Sequence, residues 1–180
     1  MKTLNKLKQG FVQIYTGNGK GKSTAAIGQS VRAAGFGLKT YIAQFMKEFP
    51  YNELISLKHL SEWITIEQFG GDEFVYKKEP PGMEELAKAK RGLESAREKM
   101  LSSDFDIIIL DEAIVAIYFK LIRTEELIEF IKIKPVGVEL ILTGRYCPEE
   151  LIELADLVTE MKEVKHYYKK GITSRKGIES

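Results

Sequence analysis

The sequence predicts an α/β fold: a mainly parallel sheet with helices on both faces, built as a single domain over residues 1–180. Two observations carry this prediction. Short apolar, β-branched and aromatic runs alternate along the chain with amphipathic stretches. The runs are also continuous rather than alternately apolar and polar, as in strands buried on both faces. Length agrees, because 180 residues with 44% hydrophobic content bury one substantial core but not two.

In chain order, "GFVQIYT" is the first strand, and a helix runs from the following glycine-rich turn through "KSTAAIGQSVRAA" to Gly35 and Gly37, which can end it. "LKTYIAQF" and "WITIEQF" are the next two strands. The clearest helix spans residues 82–103, where Leu86, Ala89, Leu93, Ala96 and Met100 recur at three- and four-residue spacing and mixed charges form a solvated face. "DIIILD", "VELILTG" and "ADLVTEM" complete the strands. Two segments, residues 46–53 and 69–82, interrupt the alternation. Such loops at the ends of parallel strands are where α/β proteins place ligands.

Composition limits the function classes. The net charge is +1, from 27 basic and 26 acidic side chains, so no global field recruits nucleic acid or an anionic membrane. Cys147 is the only cysteine and forms no internal disulfide; with only His59 and His166 available, a cysteine and histidine metal cluster is not expected. No run is long enough to span a bilayer, and the first ten residues lack the apolar core of a signal peptide. A cytoplasmic protein with no membrane or nucleic-acid partner is expected.

Three strand ends carry the chemistry. After the first strand stands Thr16-Gly17-Asn18-Gly19-Lys20-Gly21-Lys22-Ser23-Thr24, which fits the phosphate-loop pattern except that Thr16 takes the place of its first glycine. Glycines permit close backbone approach, and successive N–H groups with the helix N-terminus cradle phosphate oxygens. Lys22 supplies a point charge, Lys20 a second, and the Ser23 hydroxyl a ligand for Mg²⁺. "DIIILDEA" runs four apolar residues into Asp111 and Glu112, the form of a Walker B strand that delivers carboxylates beside such a metal. "ILTGRY" is an apolar strand ending in glycine and arginine, and its Arg145 can grip phosphate through a forked pair of hydrogen bonds. The fold expected is therefore P-loop NTPase-like, of the RecA-like kind.

These motifs, with "QFMK" after the second strand, "LADLVTEM" after "TGR", and the terminal "VKHYYKKGITSRKGIES", resemble the ATP:corrinoid adenosyltransferases of the CobA/BtuR type from Phe11 to Glu179. The threonine before the first glycine belongs to that family's loop. The resemblance implies transfer of the 5′-deoxyadenosyl group of ATP to the cobalt of a corrinoid, with release of triphosphate. It implies ATP bound in reverse sense, with Lys20, Lys22, the loop amides, magnesium and Arg145 around the leaving triphosphate. By motif position, Ser23 and Glu112 hold the metal or its water shell, with Asp111 a further partner, and Thr24 adds a phosphate contact. Phe74 and Tyr76 sit where the family commonly has phenylalanine and tryptophan packed under the corrin to displace its lower ligand; Tyr76 departs from that pattern. Gln44, Phe45 and Met46 are further candidates for the corrin or ATP pocket. A homodimer and an electron-donating flavoprotein are also implied. Read from the residues alone, an ATPase or kinase that uses Glu112 to orient its nucleophile, or a non-catalytic ATP- and corrinoid-binding module, stand as alternatives. His166, Trp63 and Cys147 read as structural.

Overall fold

The computed structural model describes residues 6–48, 51–71, 73 and 79–179. Six strands form one sheet in the order β3-β2-β4-β5-β1-β6, and every pairing is parallel. The strands are β1 (Val12–Thr16), β2 (Thr40–Phe45), β3 (Ile64–Phe69), β4 (Ile107–Asp111), β5 (Glu139–Thr143) and β6 (Leu157–Glu160). Each lies within the expected run. The helices are α1 (Lys22–Phe36), α2 (Asn52–Leu57), α3 (Met83–Leu101), α4 (Ala113–Tyr118), α5 (Thr124–Lys132) and α6 (Glu149–Leu154).

The two-residue period of the central strands divides their side chains between two cores. Ile108 and Leu110 of β4, with Tyr41, Ala43 and Phe45 of β2, pack against Ala89, Ala96 and Met100 of α3 and Leu127 of α5. Ile107 and Ile109 of β4, with Ile42 and Ile141, pack against Ala26, Ala33 and Ala34 of α1 on the opposite face. Double-sided burial is why the runs are continuously apolar. Trp63 sits at the edge of the second core.

Glycines end α1 and let α3 approach the sheet closely. Gly37, at φ 95°, caps α1, its N–H donating to the carbonyls of Ala33 and Ala34, while Gly35 lies inside the helix. Gly92 of α3 permits a close approach to the sheet: a Cβ there would stand 2.7 Å from Cε1 of Phe45 and 2.9 Å from Cγ of Phe69. Because β5 lies between β1 and β4, the phosphate-loop strand and the acidic strand are one strand apart, and their C-terminal ends open on the same edge of the sheet.

Candidate functional site

The loop after β1 leads directly into α1, and its geometry accounts for Thr16. Thr16 is the last residue of β1, in register with Glu160 of β6, and its carbonyl accepts the N–H of Met161 at 2.8 Å. It is buried strand, so glycine is not needed there. Left-handed backbone begins one residue later, at Gly17 (φ 94°), and returns at Gly21 (φ 122°). A Cβ on Gly17 would meet the Met161 carbonyl oxygen at 2.5 Å, and one on Gly19 would meet it at 2.7 Å. The loop is thus pressed onto the segment leaving β6, with Gly19 N–H donating to Met161 O at 2.6 Å.

Lys22 is buried, and its Nζ donates to the carbonyl oxygens of Gly17 and Gly19, both at 2.8 Å. It therefore holds the loop's curvature from inside. Burial lowers its pKa, opposed by the charges of Glu112 and Asp111. Lys20 is exposed, and its Nζ donates to Ile178 O at 2.9 Å and to Glu179 Oε1 at 3.0 Å. Glu179 also accepts from Arg175 and from the Tyr167 hydroxyl, so the chain's end is fastened beside the loop. That contact was not legible in the terminal motif.

At the end of β4, Asp111 is fully buried and accepts three side-chain hydrogen bonds. Its Oδ1 accepts from Thr143 Oγ1 at 2.7 Å; its Oδ2 accepts from Lys47 Nζ at 2.8 Å and Gln44 Nε2 at 3.1 Å. Burial opposes its charge, but Lys47 and the hydrogen bonds outweigh it and hold the carboxyl below its usual range. Glu112 follows with a left-handed backbone (φ 62°) at the start of α4, secured by its N–H to Thr143 Oγ1 at 2.9 Å. A non-glycine residue held in that conformation is strained, and such strain gathers at functional sites. Burial first, then the neighbouring Asp111, raises the Glu112 pKa.

Arg145 is exposed at the end of β5, after Gly144 (φ 146°). A Cβ on Gly144 would stand 2.5 Å from Val115 N and 2.8 Å from Ile114 Cβ, so this glycine lets the turn lie against α4. Ser23, Thr24, Lys20, Lys22, Lys47, Glu112 and Arg145 line one cavity of about 710 Å³. Its far walls carry Tyr51 and Ile27, and His166 with Gly177, Ile178 and Glu179. Nδ1 of His166 accepts from Tyr168 N–H at 3.1 Å, which caps a short turn. Cys147 is half-buried, its thiol pushed up to about 11 by burial and then by Glu149.

The structure thus gathers residues 19–24 of the phosphate loop, Glu112 and Arg145 at one cavity, with Asp111 buried behind it, while Thr16, Gly17 and Asn18 do not line it. Gln44 and Phe45 are fully buried instead. Gln44 joins Asp111 to Gln68, whose Nε2 donates to Gln44 Oε1 at 3.1 Å, and Phe45 packs beneath Phe69 at 6.2 Å between ring centres. Neither side chain presents surface to a ligand; both set the β2 end from behind. Phe74 and Tyr76 lie outside the described residues. Lys47, absent from the expected set, is the sequence reading's main omission.

Magnesium can be tested against these donors. Ser23 and Glu112 face the cavity, and Glu112, held near Lys22 and Arg145 yet raised in pKa by burial and Asp111, gains from a nearby divalent ion. Asp111 already accepts from Thr143, Lys47 and Gln44. Among the described residues, no three His, Cys, Asp or Glu side chains come together as a metal cluster, so a magnesium ion here would need phosphate oxygens and water to complete its shell.

Residues 8–180 match the family described as ATP:corrinoid adenosyltransferase BtuR/CobO/CobP. Proteins named corrinoid adenosyltransferase are similar over nearly the whole chain. One from Sinorhizobium sp is 34% identical over 176 residues, covering 96% of this chain and 81% of that one. Those of Escherichia coli K12 and Pseudomonas aeruginosa are 30% and 31% identical, each covering 96% of this chain and respectively 86% and 84% of theirs. The solved KaiC-like protein PH0186 of Pyrococcus horikoshii OT3 shares the fold, with TM-score 0.51 at 19% identity, over 87% of this chain and 74% of that one. No helix among the described residues is long and apolar enough to cross a membrane.

Proposed function

This chain belongs to the ATP:corrinoid adenosyltransferase family and is a transferase of that kind, and we propose that it moves the 5′-deoxyadenosyl group of ATP to the Co(I) of a cobalamin or cobinamide in adenosylcobalamin biosynthesis or salvage. The observation that supports this most is the meeting of Lys22, Glu112 and Arg145 at one cavity beside a glycine loop. The cobalt is substrate. Its electron pair forms the bond to the ribose 5′-carbon as the bond from that carbon to the 5′-oxygen breaks, and triphosphate leaves with the latter pair. Co(I) is already a strong nucleophile, so no protein base is required.

The protein's task is to bind and orient ATP and to stabilise charge on the leaving oxygens. Lys22, Arg145 and the loop amides do this from three sides. Lys20 joins them once it leaves Glu179, and Gly17, Asn18, Gly19, Gly21 and Thr24 complete the cradle, which Thr16 enters as strand. ATP held in reverse sense would turn its 5′-carbon toward the corrinoid. Magnesium, bound through Ser23 and Glu112, would supply further positive charge to the triphosphate. Asp111 supports that pair from behind, and Gln44 and Phe45 support the corrin side in the same indirect way. By the family resemblance, Phe74 and Tyr76 would exclude the lower axial ligand of the corrinoid. A flavoprotein electron donor, a homodimeric assembly and a cytoplasmic setting belong to the same reading.

The test is anaerobic incubation with ATP, magnesium and chemically reduced cobalamin. A new, light-sensitive alkyl-cobalt spectrum that requires Lys22 is expected. Binding of both substrates without that spectrum would leave a carrier rather than a transferase.

A further inference from the structure

We propose that Lys47 is a positioning residue serving as a built-in cation between the phosphate loop and β4, so that the cavity takes ATP without a divalent ion. The inference rests on the ATP-binding reading above. In phosphate-loop proteins the loop serine or threonine and the strand-end aspartate together hold magnesium. Here an ammonium group stands between those same two groups: Lys47 Nζ is 2.8 Å from Asp111 Oδ2 and 3.4 Å from Ser23 Oγ.

The placement is built. β2 ends at Phe45, the backbone turns at Met46 with φ 56°, and Lys47 then lies over the Tyr51 ring at 5.2 Å. Its side chain is 12% exposed, and that of Asp111 only 1%. The remaining face of the group borders the cavity shared with Lys22 and Arg145.

Two consequences follow from charge. A buried carboxylate requires a counter-ion, and a tethered one is present whatever the metal concentration. With Asp111 committed to Lys47, Thr143 and Gln44, magnesium is left to Ser23 and Glu112. The triphosphate then meets fixed positive charge from Lys22, Lys47 and Arg145 before any metal arrives.

The experiment is calorimetric titration of ATP into the full chain, in EDTA and in excess magnesium, for the natural sequence, Lys47→Met and Lys47→Arg. The natural chain should bind ATP in EDTA within about tenfold of its magnesium value. Lys47→Met should lose about 10- to 100-fold in EDTA, the worth of one charge-assisted hydrogen bond, and clearly less in magnesium, where the ion reaches the freed Asp111. Lys47→Arg should recover most of the metal-free binding. Should Lys47→Met not fold, the natural chain in EDTA and Lys47→Arg still decide. Binding by the natural chain only with magnesium, or equal losses for Lys47→Met in both conditions, overturns the proposal while leaving the ATP site standing. No ATP binding under either condition overturns both.

Discussion

At the scale of single residues, ionisation in this site is set by burial and then by one neighbour. Asp111 and Glu112 are adjacent in sequence, yet Lys47 holds the first ionised while the second is pushed toward its neutral form. Asp111→Asn strands the buried Lys47 ammonium and should cost about 3–5 kcal/mol in urea unfolding, the usual penalty for breaking a buried pair from one side. The pH dependence has a definite sign. The folded pKa of Asp111 lies below its unfolded value, so its stabilisation is complete above about pH 4 and disappears as pH falls through the lower folded value. Glu112 shifts the other way: the gain in ATP affinity that magnesium gives should shrink as pH drops through its raised pKa, and Glu112→Gln should flatten that dependence. Lys22→Ala removes both the internal tie of the loop and its charge, and should cost ATP binding and activity together; normal ATP affinity would show that the loop has another role.

At the scale of elements, the site is the meeting of turns at the ends of β1, β2, β4 and β5. Glycines set two of these turns. Gly144→Ala would drive a methyl group into the α4 backbone and shift Arg145, so a loss of about 1–3 kcal/mol with weakened triphosphate affinity is expected, measured by thermal unfolding and calorimetry. Thr16→Gly is the contrasting case: about 1 kcal/mol of stability lost to strand entropy, with ATP affinity unchanged. All six strands and the glycine loop were legible in the sequence, because apolar and β-branched runs leave a local signature even in the exposed edge strand β6. Gln44, Phe45 and Lys47 were not. "QFMK" shows a buried strand end with a lysine two residues beyond it, but the β2–β4 register that puts Gln44 opposite Asp111 is a tertiary fact. The bonds from Lys20 to Ile178 and Glu179 span nearly the whole chain, and no periodicity reports such a contact.

At the scale of the molecule, the strand order β3-β2-β4-β5-β1-β6 sets the phosphate loop and the acidic strand on either side of β5, with Arg145 rising between them. This places Arg145 where charge on a triphosphate can be shared between both neighbours. The proposed wedge beneath the corrin belongs to the same scale. Phe74→Ala should slow adenosylation of Co(II) substrate supplied with a reductase far more than that of preformed Co(I), since only the first requires ligand displacement. Equal losses on both would remove that role. The central claim is that this cavity treats triphosphate as a leaving group. A phosphorus NMR spectrum of the reaction with ATP, magnesium and Co(I) corrinoid tests it most directly: inorganic triphosphate in step with adenosyl-cobalt is the result predicted, and ADP with orthophosphate in stoichiometric yield would contradict it.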